Sequence, residues 1–226
     1  MSKLIVVEGT DCSGKETQTK MIVNKLKRLN KKVIRFSFPM YETATGKIVG
    51  GPFLGKPEIC ESWFENPASL DPKIASLYYA ADRKYNIDII KKYLEDDYII
   101  FLDRYVYSNM AHQGSKFSDN QDRLKMFKWI EELEFNLLEL PRPDLTIFLH
   151  MPYESACELK KNRKNLDEVE KNKEYLINSE KTYIELSKQY NFKTIECVQN
   201  NKIRSIEEIN EEIYNIIKKE IKWNKK

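Results

Sequence analysis

A chain of 226 residues, 41% of them apolar, can build one hydrophobic core with at most a small lid beside it. Its 38 basic and 35 acidic residues nearly cancel, to a net charge of +3, which argues against an electrostatic nucleic-acid binder. No apolar run is long enough for a membrane span, Met1 leads into a strand without a leader segment, and four scattered cysteines without a C-x-x-C pair read as reduced thiols, so a cytoplasmic protein is expected.

The run Leu4-Ile5-Val6-Val7 predicts a first strand, and Ile22, Leu26 and Leu29 predict a helix over Lys15 to Leu29. Between them lie Gly9-Thr10-Asp11-Cys12-Ser13-Gly14-Lys15-Glu16-Thr17, with Gly9, Gly14 and Lys15 at the spacing G-x-x-x-x-G-K. Such a loop wraps its N–H groups around a phosphate, the helix adds the positive end of its dipole, and Lys15 reaches the β and γ phosphates. The motif normally continues with a Ser or Thr that helps hold Mg²⁺. Here Glu16 stands there, free to ligate the metal, to act through water or to repel phosphate. Thr17, about 100° further round the helix, is no simple replacement.

Val33 to Phe38 predicts a second strand, stopped by Pro39. Residues 40–71 are mixed: Thr43-Ala44-Thr45-Gly46 looks like a helix entry and Gly50-Gly51-Pro52 a break, in a segment long enough to shape a substrate pocket. A long helix is expected over Ile74 to Leu94, with Ile74, Leu77, Tyr78, Ala81, Tyr85, Ile89 and Leu94 near one side. Tyr98 to Leu102 reads as a strand buried on both faces, ending at Asp103-Arg104, where ligands of open α/β sheets gather. A helix over Asp119 to Leu140 carries the stripe Leu124, Phe127, Ile130, Leu133 and Leu137. Then follow a strand at Leu145 to Leu149, a helical stretch from Tyr153 to Gln189 broken near Asn165, and a fifth strand at Phe192 to Val198. A last helix starts at Ser205 with Glu208 completing a capping box. Alternating strands and helices imply a parallel sheet with helices on both faces.

Several short stretches, taken in order, resemble the thymidylate kinases: Glu8-Gly9-Thr10-Asp11 with Gly14-Lys15, Phe38-Pro39, Tyr79-Ala80-Ala81-Asp82-Arg83, Asp103-Arg104-Tyr105 with Ser108 and Gln113-Gly114, and Pro143-Asp144-Leu145. The resemblance covers nearly the whole chain. It implies a single P-loop NTPase domain, a three-layer α/β/α fold with a five-stranded parallel sheet and a short helical lid at about 153–175. It also implies phosphoryl transfer from ATP to dTMP with Mg²⁺, nucleotides as the only partners, no nucleic acid or membrane, and a homodimer. Kinases of other deoxynucleotides or deoxynucleosides, and a nucleotide-binding regulator with little turnover, are the competing readings.

The resemblance assigns roles residue by residue. Gly9 through Thr17 hold ATP, with Lys15 catalytic. Arg104 holds the acceptor phosphate, and Asp103 and Glu16 lie by the metal. Tyr79 stacks on the base while Arg83, one helical turn on, donates to it. Phe38, Pro39, Ser108 and Gln113 complete the acceptor pocket, and Asp11 accepts from the ribose 3′-hydroxyl. Three departures stand out. Met40-Tyr41-Glu42 follows Phe38-Pro39 where an arginine often contacts the acceptor phosphate, and Arg35 lies upstream in the strand. Cys12 replaces a P-loop arginine and Leu159 a lid arginine, so Arg163, the only arginine in 160–164, is the candidate lid cation. His150 stands in place of an aspartate and reads as structural.

Overall fold

The computed structural model describes residues 2–160 and 172–221. Five parallel strands, β1 (Lys3–Gly9), β2 (Val33–Ser37), β3 (Ile99–Asp103), β4 (Leu145–His150) and β5 (Lys193–Glu196), form one sheet in the order β2-β3-β1-β4-β5. Central β1 pairs with β3 from Lys3↔Ile99 to Val7↔Asp103 and with β4 from Ile5↔Leu145 to Gly9↔Leu149. Leu4 through Gly9 and all of β3 are buried, as continuous apolar strands between two helical layers must be.

Alternation along the strands divides the core in two. Leu4, Val6, Ile100, Leu102 and Phe148 face α3 (Pro72–Glu95), α4 (Val106–Gly114), α5 (Asn120–Glu131) and α7 (Lys173–Gln189), meeting Ile87, Met110, Phe127 and Tyr183. Ile5, Val7, Phe101, Ile147 and Leu149 face α1 (Lys15–Arg28) and α8 (Ile206–Glu220), meeting Ile22, Leu26, Ile213 and Ile217. This is the three-layer α/β/α arrangement expected, with the strand order turning back around β1, so the loops after β1 and β3 open into one crevice. The short α2 (Ala44–Ile48) enters at Thr43, whose side chain caps Gly46 N–H, and continues through Gly50-Gly51-Pro52 as a π turn to Phe53 instead of breaking there. Ser205 and Glu208 form both halves of the expected capping box.

Four features differ from the sequence expectations. The α3 stripe is largely solvent-facing: Ile74, Leu77, Tyr85 and Ile89 are about half exposed or more, and Ala75, Ala80, Asp82, Arg83, Ile87 and Ile90 pack inward. Apolar spacing located the helix but not its buried side, because the inner side also carries buried polar residues. After Glu131 the helix widens into a π turn (Glu132–Leu137), and one extra residue shifts the phase. Phe135 is therefore buried beside Glu134, and Leu137 lies outside at 69% exposure. Helix α4 has no local cap, since the side chain of Tyr105 at its N-cap makes no capping bond, and no helix was anticipated there. The fifth strand stops at Glu196; Val198–Gln199 and Lys202–Ile203, β6 and β7, form a hairpin across Asn200-Asn201, both at positive φ as a two-residue turn demands. In the predicted lid, α6 (Tyr153–Lys160) and the start of α7 flank 161–171, so Asn165 and Arg163 lie outside the described residues.

Asp144 starts the β1–β4 pairing. Its N–H donates to Leu4 O at 2.8 Å, and its Oδ2 accepts from Leu4 N–H at 2.8 Å. Its ion pair with Lys3 is exposed enough to add little. Asp144→Ala strands the Leu4 donor at the sheet entrance and is expected to cost about 1–3 kcal/mol in urea unfolding, whereas Asp144→Asn keeps an acceptor and loses less. Equal stability of Asp144→Ala and the parent would contradict this role.

Candidate active site

The loop between β1 and α1 is closed on itself. Cys12 and Gly14 take left-handed backbone angles, φ 58 and 78. Gly9 has no room for a side chain, because an added Cβ would come within 2.5 Å of Ser13 Oγ and 2.8 Å of Leu149 O. Thr10 clips the loop to the end of β4, donating to Met151 O at 2.8 Å and accepting from Met151 N–H at 3.0 Å. Lys15 is buried, and its ammonium donates to Gly9 O and Thr10 O at 3.0 and 2.8 Å. Burial, then the neighbouring Arg104 guanidinium, lowers its pKa to about 8 against the pull of Asp11, Asp103 and Glu8. Glu16 is exposed at the start of α1, in an ion pair with Lys20 at 2.6 Å, and Thr17 is exposed beside it.

The residue just before the loop, Glu8, is wholly buried. Its Oε1 accepts from the backbone N–H groups of Tyr105 and Ser108 at 2.9 and 3.1 Å, capping α4 from another strand. Its Oε2 accepts from Ser108 Oγ at 2.5 Å and from the Tyr183 hydroxyl at 3.3 Å. Burial pushes its carboxyl above the usual range. Between β3 and this cap sits Arg104, held at φ 67, an uncommon angle for a residue with a side chain. The turn sends the guanidinium toward the P-loop, where Nη2 donates to Asp11 Oδ1 at 3.2 Å and Nη1 lies 3.4 Å from Ser108 Oγ, Tyr183 OH and His112 Nε2. A guanidinium can only donate, so His112 Nε2 accepts and Nδ1 carries the proton. Burial first, then Arg104, drops the His112 pKa to about 3, and its buried Nδ1 has no partner among the described residues.

A cleft opens beside Arg104, lined by Asp11 and Arg104 together with Phe38, Pro39, Tyr41, Lys56, Tyr79 and Arg83. Tyr79 packs edge-on to Phe53 at 5.6 Å, which fixes its ring plane. Arg83 is gripped by the fully buried Glu134 through two parallel contacts, one of 2.6 Å from Nη2, and Asn109 supports the same carboxylate at 2.9 Å. Asp82 accepts from Met40 N–H and Thr45 Oγ1 at 2.9 and 2.8 Å, fastening the β2–α2 loop to α3 beside the cleft. Asp103 pairs with Arg35 at 2.6 Å, while Arg35 also donates to Thr19 Oγ1, so the upstream arginine serves the strand-end carboxylate. His150 joins Glu180 and Glu196 at 2.9 and 2.6 Å, a tie between β4, α7 and β5 that matches its structural reading.

The structure thus gathers Asp11, Phe38, Pro39, Tyr79, Arg83, Arg104 and Ser108 at one cleft next to Lys15. The Ser108 hydroxyl proton goes to Glu8. Gln113 is buried and does not line the cleft, and its Oε1 is unpaired among the described residues. The sequence reading gave no role to Glu8, Lys56, His112, Tyr175, Tyr183 or Glu134. His112, like Asn109, follows Ser108 on α4 and becomes visible only once that helix is known. Tyr175, which stacks on His112 with centroids 5.7 Å apart, arrives from the far side of the lid segment.

With a pKa of about 8, the charged fraction of Lys15 falls from about nine-tenths at pH 7 to about one-tenth at pH 9. Nucleoside triphosphate affinity is therefore expected to weaken by up to about tenfold over that window in calorimetric titrations. Lys15→Arg, whose charge does not titrate there, flattens the profile. A parent affinity independent of pH would contradict the assignment of the triphosphate to this ammonium.

Comparison with known proteins agrees with this geometry. A family model described as thymidylate kinase matches residues 7–213. The chain is 26% identical to the thymidylate kinase of Schizosaccharomyces pombe over 216 residues, covering 95% of this chain and 91% of the relative. It is 31% identical to a probable thymidylate kinase 1 of Saccharolobus solfataricus over 199 residues, 87% and 89% of the two chains. A solved thymidylate kinase structure from Candida albicans shares the fold, with a TM-score of 0.71 at 24% identity over 96% of this chain and 92% of that one. A phosphate loop, a strand-end arginine turned toward it and a family match across nearly the whole chain lead to one conclusion: this protein belongs to the thymidylate kinase family.

Proposed function

We propose that this protein, an ATP-dependent phosphotransferase by family, moves the γ-phosphoryl group of ATP to dTMP, giving dTDP and ADP. The observation that carries the reading is the Arg104–Asp11 pair, which links the phosphate loop to a cleft offering an aromatic ring and a guanidinium. ATP lies along Gly9–Thr17 with Lys15 leaving its carbonyl partners for the β and γ phosphates. Arg104 turns its planar fork to the acceptor phosphate. Tyr79 stacks on the base and Arg83, aligned by Glu134, donates to a base carbonyl. Phe38 and Pro39 form a wall, Asp11 takes the ribose hydroxyl, and Ser108 and Gln113 contribute acceptors near the base. Transfer then depends on positioning and on cations around the moving group.

Asp103 and Glu16 offer hard oxygen donors, the kind Mg²⁺ takes one or two at a time alongside substrate phosphates. Among the described residues no group of three or more metal-binding side chains is present, which fits a metal held chiefly by nucleotide. When bound, Mg²⁺ neutralises phosphate charge. The Arg35–Asp103 pair keeps that carboxylate oriented meanwhile. Arg163 supplies the lid cation in this reading, from outside the described residues. The exposed apolar stripe of α3, Ile74, Leu77, Tyr85 and Ile89, supports a homodimer. Among the described residues no helix is long and apolar enough to cross a membrane, in keeping with the proposed cytoplasmic location.

The test is ADP release with Mg²⁺-ATP across nucleosides and nucleoside monophosphates. dTMP is expected to give the highest turnover, and Lys15→Ala to lower kcat about 10²- to 10³-fold. Turnover independent of any monophosphate would overturn the reading, as would preference for a nucleoside. Tyr79→Ala is expected to weaken dTMP by about 1–3 kcal/mol and leave the KM for ATP in place. A loss confined to ATP would mean that the two pockets are assigned the wrong way round.

A further inference from the structure

The cleft holds three cations, and their partners differ. Arg83 is matched by Glu134. Arg104 shares its charge with Asp11 at 3.2 Å. Lys56 is ion-paired with no carboxylate among the described residues; its ammonium lies 4.9 Å over the ring of Tyr41. A nucleoside monophosphate brings a charge of about −1.5 to −2. Arg104, already facing Asp11, does not balance that alone.

Lys56 is also held in place. Its own N–H donates to Gly50 O at 2.8 Å, and Gly55 N–H to Gly51 O at 2.7 Å, with Gly55 at φ +65 closing the turn. The turn is packed on Tyr41: a Cβ on Gly50 would come within 2.7 Å of the Tyr41 ring and 2.4 Å of Ile59. Tyr41 leaves the sheet four residues past Ser37, the register partner of Asp103, and Phe38 N–H donates to Asp103 O at 3.0 Å. Tyr41 follows Phe38-Pro39 out of β2, and the Tyr41–Lys56 unit lines the same cleft as Arg104.

We propose that Lys56, seated on the Tyr41 ring, is a second cation for the phosphate of the acceptor nucleotide and acts together with Arg104. Tyr41 holds the ammonium within the cleft through its π face and leaves its N–H donors for the phosphate oxygens. The inference rests on the reading of this cleft as the monophosphate site.

Calorimetric titration of dTMP and of thymidine, which lacks the phosphate, into the parent, Lys56→Met and Lys56→Arg tests it. Lys56→Met is expected to weaken dTMP roughly ten- to hundredfold while thymidine binds as in the parent, and Lys56→Arg to restore most of the dTMP affinity. Unchanged thymidine affinity also certifies that the variants are folded. Lys56→Met binding dTMP like the parent would overturn the proposal. So would an equal loss for dTMP and thymidine, which would place Lys56 at the base or in the packing. A parent that binds neither compound would remove the nucleotide reading of the cleft, and this inference with it.

Discussion

The carboxyl group of Glu8 never meets solvent, yet four donors from two other elements converge on it. That convergence holds the catalytic end of the sheet together. An ionised or half-ionised carboxyl in an apolar interior costs several kcal/mol unless its lone pairs are filled. Here they are filled by the first N–H groups of α4, the Ser108 hydroxyl and the Tyr183 hydroxyl. One residue further on the phosphate loop begins, and one residue before the first donor, Tyr105 N–H, lies Arg104. The same contact therefore fixes the start of the loop, the left-handed turn of Arg104 and the attachment of α7. The unfavourable φ of Arg104 persists because Arg104 N–H is tied to Val7 O at 3.1 Å and the next N–H to Glu8.

From that anchor outward, charge is distributed in pairs whose members come from different elements. Arg35 of β2 meets Asp103 of β3, Arg104 meets Asp11 of the loop, and Arg83 of α3 meets Glu134 of the π turn. Each pair orients a guanidinium or carboxylate before any ligand arrives, so less ordering is left for binding to accomplish. Glu134 lies one helical turn past the buried Ile130, and removing its carboxylate would leave Arg83 a buried cation without a counter-charge, a loss of the order of 3–5 kcal/mol. Lys56 differs from these arginines in resting on an aromatic face.

Local chemistry made much of this legible in the sequence. The G-x-x-x-x-G-K spacing, the apolar runs of the first four strands, the Thr43 entry and the Ser205–Glu208 capping box depend on near neighbours, and each is found where the residues placed it. Phe38, Tyr79, Arg83, Arg104 and Ser108 could be named as site residues through the resemblance to the thymidylate kinases, and they do share one cleft. Helix α4 could not be read: its residues are buried nearly all round and its cap comes from Glu8, 97 positions away from Tyr105. The buried side of α3 could not be read either, since Asp82, Arg83 and Asn86 point inward only because loop N–H groups, a distant glutamate and threonines meet them there.

By itself, then, the sequence determined an alternating α/β chain and a phosphate loop, since these follow from periodicity and from the spacing of neighbours, and its resemblance to the thymidylate kinases pointed to most residues around the cleft. Only the tertiary structure decided which charges cancel and which remain for a ligand. It turned Arg35 to Asp103, Arg83 to Glu134 and Arg104 to Asp11, and set Lys56 on Tyr41, 15 positions before it in the chain. Partners of this kind are brought together by sheet register, the packing of helices on the sheet and the packing of glycines against a ring, and no local pattern of residues encodes those distances.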